Sequence, residues 1–174
     1  NLDSEEEGIL YVGCAGGGES RLTLDTPTTT ADETTVTLAV RLTGLKGGHS
    51  GCDIHLQRGN AIKLLSRLLW RAYLDVPFSL AQVEGGSAHN AIPREAFAMV
   101  TVDAGTKDAF LATVEAERGA IQVEYAPSDP EIQLAVDEVD PASPVWTRST
   151  TETVLGLLAS LPHGVTTMSH DIPD

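Results

Sequence analysis

Thr34-Thr35-Val36-Thr37-Leu38-Ala39-Val40-Arg41-Leu42-Thr43-Gly44-Leu45 is the stretch on which the fold of this chain turns. Val36, Leu38, Val40 and Leu42 recur at every second position, and successive side chains of an extended strand point to opposite faces. The other face carries Thr35, Thr37, Ala39, Arg41 and Thr43. One face is apolar and one is mixed, so the stretch reads as a strand in a sheet covered on one side. Gly44 to Gly51 follows as a glycine-rich turn.

Beyond that turn the period changes. Ile62, Leu65 and Leu69, with Leu64 and Leu68 beside them, recur at helical spacing and predict an amphipathic helix from Asn60 to about Tyr73, stopped by Pro77. Phe78 to Val83 and Glu95 to Asp103 read as strands, the first ended by Gly85 and Gly86. Lys107 to about Arg118 is a second expected helix, with Ile121 to Tyr125 a short strand beyond Gly119. Ile132 to Val139 alternates again, and Thr147 to Leu161 has helical spacing through Val154, Leu157 and Leu158. Upstream, Gly8 to Ala15 and Arg21 to Asp25 read as short strands, and Thr26 to Thr34 as a loop. Strands of alternating polarity interspersed with helices favour an α+β two-layer sandwich, a mostly antiparallel sheet with helices on one face.

An apolar fraction of 41% over 174 residues suffices for a packed core. Eleven basic against 25 acidic residues give a net charge of −14, which disfavours nucleic acid and anionic membrane as partners. No apolar run approaches the roughly 20 residues of a membrane span. Cys14 and Cys52 stand singly, which fits a reducing cytosol better than a disulfide scaffold. The chain opens on Asn1 rather than Met, which suggests a piece of a longer protein.

Four stretches carry candidate chemistry. Asp3-Ser4-Glu5-Glu6-Glu7 packs carboxylates that repel one another unless solvent or a cation relieves them. In Gly47-Gly48-His49-Ser50-Gly51 the small neighbours leave the imidazole accessible, either as a donor to a developing oxyanion or as an ordinary loop histidine. Ser50 lacks the G-x-S-x-G register of a nucleophile elbow. His49, Asp53 and His55 with Cys52 are one conceivable metal set, against which stands a buried, hydrogen-bonded His55. Asn90-Ala91-Ile92-Pro93-Arg94 offers an amide and a guanidinium fork suited to carboxylates, or else a turn before a proline. Gly16-Gly17-Gly18 lacks the lysine and hydroxyl of a phosphate loop and reads as a turn.

In order along the chain, LDSEEEG-ILYVGCAGG from Leu2, LTGLKGGHSGCDIH from Leu42 with GNAIKLL from Gly59, and GGSAHNAIPREAFA from Gly85 resemble the peptidase D family of aminoacyl-histidine dipeptidases, related to carnosinases and other di-zinc amidohydrolases. The resemblance covers residues 1 to about 103 closely. It implies that residues 1–18 end a catalytic zinc domain and that 19–174 form a lid or dimerisation domain continuing beyond the chain. It further implies Asp3 as a zinc ligand and His49 as the histidine that steadies the tetrahedral intermediate, often in the partner subunit's site. Asn90 and Arg94 are the implied substrate contacts, and His89 stands where an arginine is expected. The implied activity of the intact protein is hydrolysis of dipeptides such as Xaa-His with two zinc ions, in the cytoplasm, as a homodimer. The chain alone is expected to be inactive. The rival readings are a non-catalytic dimerisation module and an amidohydrolase of acyl-amino acids.

Overall fold

The computed structural model of the chain describes residues 7–11, 16–168 and 170. In chain order the elements are β1 (Thr28–Thr29), β2 (Thr35–Thr43), β3 (Gly48–His49), a 3-10 turn at Ile54–Leu56, α1 (Ala61–Asp75), β4 (Ser79–Gly85), β5 (Ala91–Ile92), β6 (Ala96–Asp103), α2 (Lys107–Tyr125), β7 (Gln133–Val139), β8 (Val145–Trp146) and α3 (Arg148–Ser160).

The decisive strand sits inside a four-stranded sheet of order β4-β6-β2-β7, every pairing antiparallel. Its register sets Leu38 against Val100, Val40 against Ala98 and Leu42 against Ala96 on one side, and Val40 against Val136 on the other. These residues share the covered face, where Leu38, Val40, Leu42, Leu80, Val100 and Val102 are almost fully buried. The three helices pack there, with α1 in contact with both α2 and α3. Leu65, Leu68, Leu69 and Ala72 of α1, Phe110, Val114 and Ile121 of α2, and Val154 and Leu155 of α3 complete one continuous core. Phe78 links the layers edge-on, with ring centroids 5.4 Å from Tyr73 and 5.5 Å from Phe110. The α+β two-layer sandwich read from the alternation is the observed fold.

Helix ends follow local chemistry. Asn60 caps α1, its side chain accepting from the Lys63 N–H at 3.2 Å, and the helix stops at Val76 before Pro77. Thr147 caps α3 by accepting from the Thr150 N–H at 3.2 Å. At the far end of α3, the Lys63 ammonium donates to the carbonyls of Leu158 and Ala159 at 3.0 and 2.8 Å. A cation there satisfies orphan carbonyls and favours the negative helix end. Thr151, wholly buried, accepts from the Leu80 N–H at 3.1 Å and so ties α3 to the edge strand β4.

Several sequence expectations give way. Ile121 to Tyr125 is no strand, because α2 runs unbroken through Gly119. Phe110, Val114 and Ile121 lie on one helical stripe, and burying Ile121 outweighs the roughly 1 kcal/mol a helical glycine costs. Arg21 to Asp25 is irregular and exposed: no strand edge pairs with it, and Leu22 and Leu24 remain in solvent. Gly8 to Tyr11 is likewise outside any strand, and the rest of that expected strand lies outside the described residues, as does Asp3. The threonine loop and the glycine turn each hold two paired residues, β1 with β8 and β3 with β5.

A methyl group at Gly119 would meet no atom within 4 Å, and the backbone there is ordinary helix. Gly119→Ala should therefore stabilise the chain by about 0.5–1 kcal/mol through reduced freedom of the unfolded state. The midpoint of urea unfolding measures this, and a lowered midpoint would contradict the helical assignment.

Candidate functional site

Past β2 the chain leaves the sheet through glycines that no other residue replaces. Gly44 has φ +81°, and a Cβ there would sit 2.1 Å from the Glu131 carbonyl oxygen. Gly47, at φ +65°, lies so close to Arg94 that a Cβ would fall 2.3 Å from its Cγ. The next two residues form β3 and pair antiparallel with β5, Gly48 opposite Ile92 and His49 opposite Ala91. The Ser50 N–H donates to the Asn90 carbonyl at 2.9 Å, and the Ala61 N–H to the Pro93 carbonyl at 3.0 Å. The GGHSG and HNAIPR stretches, read separately in the sequence, thus become one rim stitched by backbone bonds beside the start of α1.

His49 is exposed, yet its ring is held. Nδ1 accepts the backbone N–H of Gly51 at 3.0 Å and of Cys52 at 3.1 Å. Both donors are backbone amides, which have no alternative role, so Nδ1 is the unprotonated nitrogen and the neutral ring carries its proton on Nε2. Among the described residues nothing bonds to Nε2. The site therefore offers a directed, uncharged N–H donor on a fixed turn.

That turn is anchored from outside by Asp129, a carboxylate only 1% exposed. One oxygen accepts the Lys46 N–H and the other the Gly59 N–H, each at 2.8 Å, which closes both ends of the segment that carries His49. Asp129 is itself placed by its N–H, which donates to the Tyr125 carbonyl at the end of α2 at 2.7 Å. Burial pushes its pKa up, but the bonds from Gly59, Lys46 and Ser128 and the Lys46 charge outweigh that and hold it below the ordinary aspartate value.

The remaining candidates separate. Among the described residues no three His, Cys, Asp or Glu side chains converge on a possible metal position. Asp53 turns back onto the His49 N–H, and His55 sits exposed in the 3-10 turn rather than buried as expected. Asn90 and His89 lie exposed in the turn before β5. Arg94 packs its stem on Gly47 and donates through Nε to the Leu45 carbonyl at 3.4 Å, and it lines an open groove of about 610 Å³ together with Gly86, Ser87, Glu95 and Phe97.

Residues 40–128 match the peptidase dimerisation domain. The chain belongs to that family. Over 167 residues it is 39% identical to the cytosol non-specific dipeptidase of Escherichia coli, covering 95% of this chain and 34% of that protein. It superimposes on the aminoacylhistidine dipeptidase of Vibrio alginolyticus with a TM-score of 0.82 at 33% identity, over 86% of this chain and 30% of that one. The chain thus spans about a third of the length of the relatives it matches. No helix among the described residues is long and apolar enough to cross a membrane.

In this peptidase dimerisation domain, Asp129 is the residue that sequence reading missed, although it falls just outside the matched span. Its only signal was Ser-Asp-Pro between two expected strands, which reads as a turn. Asp129→Ala would strand two amide donors and should destabilise the chain by roughly 2–4 kcal/mol. Because its carboxyl titrates below the ordinary value in the folded state, its contribution is full above about pH 3.9 and fades as pH falls further. Unfolding free energies measured between pH 7 and pH 2.5 should show a shallower acid loss in Asp129→Asn than in the native chain.

Proposed function

We propose that this chain is the lid and dimerisation part of a dipeptidase, with residues 1–18 the end of its catalytic domain. In this reading His49 donates from Nε2 to the oxyanion formed when water adds to the scissile carbonyl. The observation that supports it most is the pair of backbone bonds to Nδ1, which leave Nε2–H as a preorganised donor. Such a donor strengthens as negative charge develops, and so favours the transition state over the bound dipeptide. Asn90 and Arg94 share the rim with His49 and are the proposed substrate contacts, the guanidinium suiting a peptide carboxylate.

Zinc belongs to this reading through Asp3 alone, the proposed single ligand that this chain supplies. The described residues do not fit such an ion: no ligand group converges, and the Asp53 carboxylate and His49 Nδ1 are already engaged. One carboxylate cannot hold a two-metal centre, so we propose that the isolated chain hydrolyses nothing. A homodimer is favoured by the family and by β7, which ends the sheet with one edge unpaired among the described residues. The relative described as a cytosol dipeptidase supports a cytoplasmic location, and the named relatives support dipeptides, Xaa-His among them, as substrates.

In the intact protein His49→Ala should lower kcat by roughly 10²-fold, the effect of losing one oxyanion donor, with KM little changed. Unchanged turnover would remove His49 from the reaction. The 174-residue chain, freed of contaminating protease and supplied with zinc, should leave dipeptides intact; cleavage would overturn the division of labour proposed here.

A further inference from the structure

We infer that Asp53 is the positioning residue for the His49 imidazole, acting together with Arg58; its catalytic consequence rests on the role proposed for His49. The Asp53 carboxylate accepts the His49 backbone N–H at 2.8 Å, while the Asp53 N–H donates to the His49 carbonyl at 3.0 Å. The two residues thus close a turn from both sides. Inside that turn lie Gly51 and Cys52, whose N–H groups are the ones bonded to Nδ1. If the turn opens, those amides swing off the ring, and neither the identity of the protonated nitrogen nor the ring's direction remains fixed.

Arg58 locks the carboxylate in place. Its Nη1 lies 3.5 Å from the Asp53 oxygen that takes the His49 N–H, and the same nitrogen donates to the Gly47 carbonyl at 2.7 Å. The pair fills the space where a side chain at position 48 would be: a Cβ on Gly48 would fall 2.6 Å from Arg58 Nη1 and 2.7 Å from Asp53 Oδ2. The glycine pair therefore serves close wrapping of the backbone around this ion pair as well as access to the imidazole.

The test uses amide hydrogen exchange by NMR on the 174-residue chain, which needs neither metal nor activity. In Asp53→Ala the amides of Gly51 and Cys52 should exchange about fivefold faster or more, as expected for loss of one hydrogen bond's net worth, while amides in the middle of α1 keep their native rates. Asp53→Asn retains an oxygen acceptor and should restore most of the protection. Native-like exchange of both amides in Asp53→Ala would overturn the inference. Should that variant not fold, Arg58→Met bears the same test, since it removes the cation and the Gly47 tie; unchanged exchange there would equally overturn it. In the intact protein Asp53→Ala should lower kcat with KM nearly constant. An inert His49→Ala would reject the catalytic role alone, leaving the exchange result to decide the positioning.

Discussion

The carboxylate of Asp129 receives an N–H from each end of the His49 segment, and the geometry of that whole segment depends on this one acceptor. Between Lys46 and Gly59 the chain has only a two-residue strand and one 3-10 turn, too little regular structure to satisfy or orient its own backbone. A solvated charge could not act this way, because water would compete for both donors. Buried to 1% exposure, the group stays charged only because its bonds outweigh its desolvation. Its position is set in turn by the end of α2, which the core fixes through Ile121 and Val114. Packing in the sandwich is thereby transmitted to an exposed imidazole.

The same segment shows two scales of restraint. Asp129 joins its ends to the body of the domain, and Asp53 with Arg58 shapes its middle. Close backbone approach at Gly44, Gly47 and Gly48 makes both possible, since a Cβ at any of them would overlap an atom already in place. A loop bound this way holds a side chain in solvent without the burial that would normally order it. That arrangement suits a group which must meet a ligand arriving from another surface.

How much of this was legible in the sequence follows from the range of the forces involved. β2 and α1 were readable because their burial is periodic, and Asn60 and Pro77 mark the helix ends with local chemistry. The end of α2 was misread because Gly119 is a local signal for a break, whereas the burial of Ile121 is decided by α1 and the sheet. Arg21–Asp25 misled in the opposite way: alternation alone does not make a strand when no edge is available to pair. Within the site, the residue types around His49 announced an accessible imidazole, and the family resemblance grouped it with Asn90 and Arg94. The β3–β5 pairing that joins them, the nitrogen that carries the proton, and the Asp129 clamp all arise from contacts between distant segments. A buried, hydrogen-bonded His55 was the expectation set against a metal ligand, but the 3-10 turn carries it outward.

An uncharged donor also makes sense against the charge of the whole chain. With a net charge of −14, this surface discourages anions at long range, although at physiological ionic strength that field decays over about 8 Å. A neutral N–H exerts little pull at a distance and acts only at contact, along one direction. Its contribution grows where the carbonyl oxygen gains charge, the condition for accelerating a reaction rather than merely tightening binding. On the proposed role, the bonds to Nδ1 matter for this reason: they fix which nitrogen donates and where it points.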